Sequence, residues 1–335
     1  MTIPDTLTST AIMPQGSAVP AHRSPNALDP WFTVGSVTLR VADPVRMHAF
    51  YTEVIGLREV TPASANRVVL GVDNRALVEL LHVRDATPPA PGATGLYHLA
   101  LRVPARRDLA LMMRRVAALE VPISGAADHG VSEAVYLDDP EGNGIEIYHD
   151  RPFSEWTWGV PGTMIAPLDI EGVMSTITNT DDASDELVTD ISRGLPHGTD
   201  MGHVHLKVAD LPASRAWYRE VFGLDITLTV PGDSAAFVAA GGYHHHIGMN
   251  VWHSARGAAA PATSTGLDTL TAHVASLEEA AAIASRAAAA SSAAAGAPVT
   301  TARSGSADPA VHVAPLEVVD PAGNRWLLVP RDRAR

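Results

Sequence analysis

The chain contains no cysteine among its 335 residues. That excludes disulfide frameworks, thiolate nucleophiles, iron–sulfur clusters and cysteine-bound zinc, and leaves histidine, carboxylate or backbone oxygen as the only means of holding a metal. Positive charge is scarce too: 24 Lys and Arg stand against 37 Asp and Glu, a formal charge of −13 with no basic cluster. A nucleic-acid surface needs gathered cations to neutralise phosphates, so no such partner is expected. Long apolar runs are also missing, because Asp, Arg, Gly or Ser interrupts each of them, and no membrane span is expected. Residues 1–30, rich in Thr, Ser, Pro and Ala, lack a basic start followed by an apolar stretch. They read as a flexible N-terminal arm, and a cytoplasmic protein is the expectation.

With 46% hydrophobic and 18% charged residues the composition is that of a globular protein, and the length fits about two domains. An internal repeat organises them. GSVTLRVAD at 35–43 answers GHVHLKVAD at 202–210, Phe50-Tyr51 answers Trp217-Tyr218, and Glu53 to Leu57 answers Glu220 to Leu224, all at one spacing without a gap. A second pair is DPEGN at 139–143 and DPAGN at 320–324. Each is a turn-forming pentapeptide followed by an apolar run, Ile145–Tyr148 or Trp326–Val329, and so reads as a hairpin. Leu99–Val103 echoes the opening strands. Four similar units thus begin near Trp31, Gly95, Met201 and Gly266.

Within the first unit the pattern gives a strand at Ser36–Val41, a helix at Pro44–Val54 and strands at Arg67–Leu70 and Ala76–Val83. Two units per half place one domain at 31–152 and another at 201–331, joined by a connecting segment, 153–200. That segment breaks the pattern with Trp156, Trp158, Pro161 and the acidic run Asp181, Asp182, Asp185, Glu186. The alanine-rich stretch Glu278–Ala295 suits the fourth unit's helix, fraying into a loop.

Several longer strings carry a family resemblance: TGLYH at 94–98, DHGVSEAVY at 128–136, GNGIE at 142–146, GHVH at 202–205 and GGYHHH at 241–246. Over most of residues 31–330 the chain resembles the vicinal-oxygen-chelate superfamily of glyoxalases, antibiotic-resistance proteins and extradiol dioxygenases, and within it the bacterial catechol-2,3-dioxygenase subfamily. The resemblance implies an α+β fold of four βαβββ modules forming two paired domains. It also implies a metal held from the first and last strands of two paired modules. First-strand positions are Ser36, His98, His203 and Thr269; last-strand positions are Glu79, Glu146, the His244–His246 run and Leu327. Only the second and third modules are well supplied, with His98, His203 and Glu146. Two imidazoles and one carboxylate suit a non-haem Fe(II) oxygenase, with Mn(II) as the alternative ion. These two modules are therefore expected to share one site, whereas the usual extradiol enzymes draw all ligands from the C-terminal pair; pairing of contiguous modules is the rival arrangement.

A period of two puts Glu146 and Tyr148 on one face of their strand and Ile145 and Ile147 on the other. By the same rule His203 and His205 share a face, while His98, between Tyr97 and Leu99, is expected to point away from both. His205 taken alone reads as structural. The triple histidine is expected in a strand, with His244, His246, Gly248 and Asn250 on one side and His245 on the other. The resemblance aligns His246 with the acid/base histidine of the extradiol enzymes; the plainer reading is that the run hydrogen-bonds its turn. His129 and Tyr136 resemble the His and Tyr beside the metal in those enzymes, although they stand closer together here, and Tyr136 equally suits a core aromatic. Trp252 and Tyr97 suggest an apolar pocket. The function implied is extradiol cleavage of catechol or a substituted catechol with Fe(II) and O2, giving a muconic semialdehyde-type product. The partners are then a small aromatic diol and O2, and the oligomeric state is left open. The alternatives are a glyoxalase-like isomerase or thiol transferase using Zn, Ni or Mn, and a non-catalytic protein that binds aromatic ligands.

Overall fold

Alternation decides which face of each strand meets the core. In Thr33–Val41 (β1), Val37, Leu39 and Val41 are fully buried on one side while Ser36, Thr38 and Arg40 turn to the other. The computed structural model describes residues 22–62, 64, 66–158, 165–177, 194–295 and 315–331. The first module continues with Pro44–Ala49 (α1), a π-helical turn Phe50–Ile55, Arg58–Glu59 (β2), Arg67–Val72 (β3) and Arg75–His82 (β4). The second comprises Gly95–Arg102 (β5), Arg106–Ala118 (α2), Gly125–Asp128 (β6), Ser132–Asp138 (β7) and Gly144–Asp150 (β8). After a short helix, Ile170–Met174 (α3), the third comprises Asp200–Lys207 (β9), Leu211–Trp217 (α4), a π-helical turn Tyr218–Phe222, Asp225–Thr229 (β10), Ala235–Ala239 (β11) and Ile247–Asn250 (β12). The fourth has Gly266–Val274 (β13), Leu277–Ala295 (α5), Leu316–Val319 (β14) and Arg325–Pro330 (β15).

The repeat reappears in matching detail. Asp43 and Asp210 cap α1 and α4, each side chain accepting from a backbone N–H three residues on, beside a proline in the first turn. Met47, Tyr51 and Ile55 pack under the first sheet; Tyr218 and Phe222 are the counterparts of the last two, and Ser214 stands at the position of Met47. The alanine-rich helix runs unbroken through Ala295. Expected fraying does not occur there, since Ala280, Ile283 and Ala287 bury one helical face.

Strand pairing crosses the sequence order. One seven-stranded sheet runs β14-β15-β13-β1-β4-β3-β2 and one eight-stranded sheet runs β10-β11-β12-β9-β5-β8-β7-β6. Modules one and four share the first sheet; modules two and three share the second. Each of the spans 31–152 and 201–331 therefore sends one module into either sheet. The helical layer pairs the other way. Arg115 of α2 donates to the Glu53 carbonyl, Arg286 of α5 donates to Val221, and the turn tyrosines reach the neighbouring module's hairpin. Asp139 accepts from the backbone N–H groups of Glu141 and Asn143, the Asn143 amide and the Tyr51 hydroxyl. Asp320 repeats this with Ala322, Asn324 and Tyr218.

The described part of the N-terminal arm is anchored. Ser24 N donates to Asp225 at 2.7 Å, Leu28 N donates to the Gly223 carbonyl, and Leu28 is buried; residues 1–21 lie outside the described residues. In the connecting segment, Pro161 and the acidic run likewise lie outside them, while Leu168, Val173 and Ile177 are buried. No helix among the described residues is long and apolar enough to cross a membrane.

Candidate metal centre

The centre of the eight-stranded sheet is the antiparallel pair β5 and β9, with β8 parallel to β5 on its far side. Register sets His203 opposite Ala100, and Ala100 beside Glu146. Two irregularities adjust the pleat, at Tyr97 and at Gly202. After the extra residue at Tyr97, His98 stands opposite His205 and points away from Tyr97 and Leu99, onto the face that carries His203. Gly202 is required by contact: a Cβ there would strike the Tyr148 hydroxyl.

Glu146 Oε2 lies 3.0 Å from His98 Nε2 and 3.1 Å from His203 Nε2. The three donor atoms fall within 4.8 Å of one another, and among the described residues this is the group of His and carboxylates that could hold a metal ion. Burial alone would raise the Glu146 carboxyl, but His203 and His98 outweigh it and hold it well below the usual range. His203 is pushed down to about 4, by burial first and against the pull of Glu146. An ionised carboxylate beside an unprotonated imidazole is the state that binds a cation. Among the described residues His98 Nε2, buried and 3.0 Å from Glu146, has no partner in good hydrogen-bond geometry. A buried nitrogen left without a partner beside a carboxylate and a second imidazole makes a donor set that fits a divalent ion such as iron.

Tyr136 pairs with Glu146 across β7 and β8. Burial first, then Glu146, holds its phenol well above its ordinary value, so the hydroxyl stays protonated and hydrogen-bonds the carboxylate. His129 Nε2 is 2.7 Å from the same oxygen. Both residues therefore stand beside the triad despite their short spacing.

The histidine run differs from its expectation. Residues 241–246 form a turn ahead of β12 rather than a strand, because Gly241 and Gly242 both adopt positive φ, 65° and 80°, which breaks the alternation. His246 is carried away from the triad. It sits edge-on to Phe32, its Nδ1 accepting from Ala240 N, and burial lowers it to about 3. The imidazole against His203 is His245, 4.1 Å between ring centroids. His245 Nδ1 is 2.7 Å from His244 Nδ1, and His244 Nε2 is 3.0 Å from Asp150. One tautomer set satisfies both contacts: His244 donates through Nε2 to Asp150 and accepts through Nδ1 from His245, whose Nε2 then keeps its lone pair.

Asp150 also receives Arg102 and Tyr243, and Arg102 makes a two-pronged bond to Asp200 on β9. Although burial opposes it, His244 and Arg102 lower the Asp150 carboxyl to about 2. A depressed carboxyl stabilises the fold above its unfolded pKa and loses that contribution as pH falls through the folded value. Urea titrations between about pH 5 and pH 2 should thus show wild type losing about 2 kcal/mol that Asp150→Asn does not lose.

Sequence reasoning missed the roof of the site. Trp158 stacks on His245 at 13° and 5.7 Å, and Trp156 lies against His244. Both come from the start of the connecting segment, where two tryptophans in otherwise polar chain were the available signal. In the other sheet Ser36 donates to Glu79, whose second oxygen accepts from Arg67. With Thr269 and Leu327 at the remaining positions, that carboxylate serves an ion pair.

The model of the Glyoxalase/Bleomycin resistance protein/Dioxygenase superfamily matches residues 33–147 and 200–328. The chain is 37% identical over 258 residues to a catechol-2,3-dioxygenase of Bacillus subtilis strain 168, covering 76% of this chain and 86% of that protein. The solved structure of glyoxalase I from Zea mays superposes with a TM-score of 0.54 at 16% identity, covering 89% of this chain and 92% of that one, a likeness of fold.

Proposed function

Because the chain belongs to the Glyoxalase/Bleomycin resistance protein/Dioxygenase superfamily, we propose that it is an extradiol dioxygenase that opens the ring of catechol or a substituted catechol with O2. The observation that carries this reading is the buried set of two imidazoles and one carboxylate, flanked by a tyrosine and by a histidine with a free lone pair. The relative named catechol-2,3-dioxygenase supports it. His98, His203 and Glu146 would hold Fe(II), which when bound lets electrons pass between a catecholate and dioxygen. The product is a muconic semialdehyde.

The chain's own residues prepare the reaction. Tyr136 steadies Glu146 through its hydroxyl and is itself oriented by His129. Proton transfer falls to His245 rather than His246: its Nε2 accepts a proton from a diol hydroxyl, and Asp150 acting through His244 stabilises the resulting charge. Trp156 and Trp158 cover the histidines and keep water out.

The test is to load the protein with Fe(II) without air, add catechol and then admit oxygen. Stoichiometric oxygen uptake with a yellow product is the expected result. A metal-loaded protein that consumes no oxygen would refute the reading and favour isomerase or thiol-transfer chemistry, which needs none. Tyr136→Phe should lower turnover about a hundredfold while costing metal affinity about tenfold, measured by oxygen uptake and by competition with a chelating dye.

A further inference from the structure

The repeat gives each residue of β5 and β8 a counterpart in β9 and β12. His98 answers His203, and Ala100 answers His205. Glu146 pairs with Ala100 as Gly248 pairs with His205, so the counterpart of the carboxylate is a glycine. On one side a small residue makes room for an acid; on the other the acid is absent and an imidazole fills its space. A Cβ on Gly248 would come within 2.9 Å of His205 Nδ1. His205 is 4% exposed, with its ring 5.0 Å from that of His98. The rings of Tyr97, Trp252 and Phe237 surround it at 5.2, 5.6 and 5.8 Å. It lies outside the group of atoms close enough to share a metal.

Two buried polar atoms on this side have no hydrogen-bond partner among the described residues: His205 Nε2 and Asn250 Nδ2. Asn250 is two residues beyond Gly248 on β12 and shares its face. Buried polar atoms of this kind are costly unless something satisfies them. Of the aromatic residues around His205, Trp252 reaches the surface and is 48% exposed.

We propose that His205 is a substrate-contacting residue: its Nε2 hydrogen-bonds an oxygen of the aromatic diol in the quadrant opposite Glu146, and Tyr97, Phe237 and Trp252 form the slot that takes the ring. This rests on the ring-cleaving reading. It makes the site selective for planar diols, with ring substituents directed toward Trp252.

The probe is 4-nitrocatechol, titrated by absorbance into Zn-loaded and Fe(II)-loaded protein without air. His205→Phe keeps the ring volume and removes both nitrogens; His205→Asn restores a donor. Metal per chain should be unchanged in both. His205→Phe should bind 4-nitrocatechol about tenfold more weakly, with His205→Asn recovering part of the loss. Trp252→Ala, at a half-exposed position that places little demand on folding, should also weaken binding by about threefold or more. Equal binding by wild type, His205→Phe and Trp252→Ala overturns the proposal, as does loss of metal from His205→Phe, which would make His205 a ligand. Metal-loaded wild type that fails to bind 4-nitrocatechol overturns the ring-cleaving reading itself.

Discussion

Glu146→Ala is expected to empty the candidate metal centre. Glu146 is the only anion of the group, its Oε2 lying within about hydrogen-bond reach of both imidazoles at 3.0 and 3.1 Å. Its removal leaves two imidazoles and no anion to offset a divalent cation's lost hydration. Metal affinity should fall by more than about a hundredfold, and oxygen uptake should vanish with it. Glu146→Gln separates charge from shape: the amide preserves packing against Ala100 and Tyr136 yet cannot supply the anion, so it should fail as completely as alanine. Elemental analysis of freshly purified protein checks both variants. Normal metal content with normal turnover in either one would remove Glu146 from the site.

The second large effect is structural. Asp139→Ala strips the acceptor from two backbone N–H groups, the Asn143 amide and the buried Tyr51 hydroxyl at once. Buried donors left without partners cost more than the bonds were worth, so the loss should be about 3–5 kcal/mol, read as a melting temperature lower by about 5–10 °C. Asp320→Ala disrupts the matching turn and should destabilise to a similar degree. The pair is informative because only the first turn leads into β8, the strand that carries Glu146. Asp139→Ala should therefore weaken metal binding, and Asp320→Ala should spare it. Equal effects on metal content would show that the two turns act through global stability alone.

The repeat, the hairpin turns and the α+β modules were all legible, because each rests on short-range chemistry: alternation, aspartate caps and turn-forming pentapeptides. The sharing of one sheet by modules two and three was legible for another reason, since Thr269 and Leu327 left the fourth module without ligands. What could not be read depends on long-range register. The bulge at Tyr97 that sets His98 against His205 exists only once β5 meets β9. That His245 rather than His246 lies against His203 follows from two glycine dihedrals. The contribution of Trp158 needs the connecting segment to fold back over a turn far along the chain. The pairing of His205 with Gly248 likewise depends on the register of β9 with β12.

Crossed strand pairing also governs synthesis. When residues up to about 150 have left the ribosome, β1 and β5 both present bare hydrogen-bonding edges, and the strands that will cover them, β13 and β9, have yet to be made. A nascent chain of this design is adhesive for longer than one whose halves close independently, which favours slow folding and chaperone attendance. Freshly translated N-terminal fragments should accordingly aggregate unless the remainder of the polypeptide is supplied in trans.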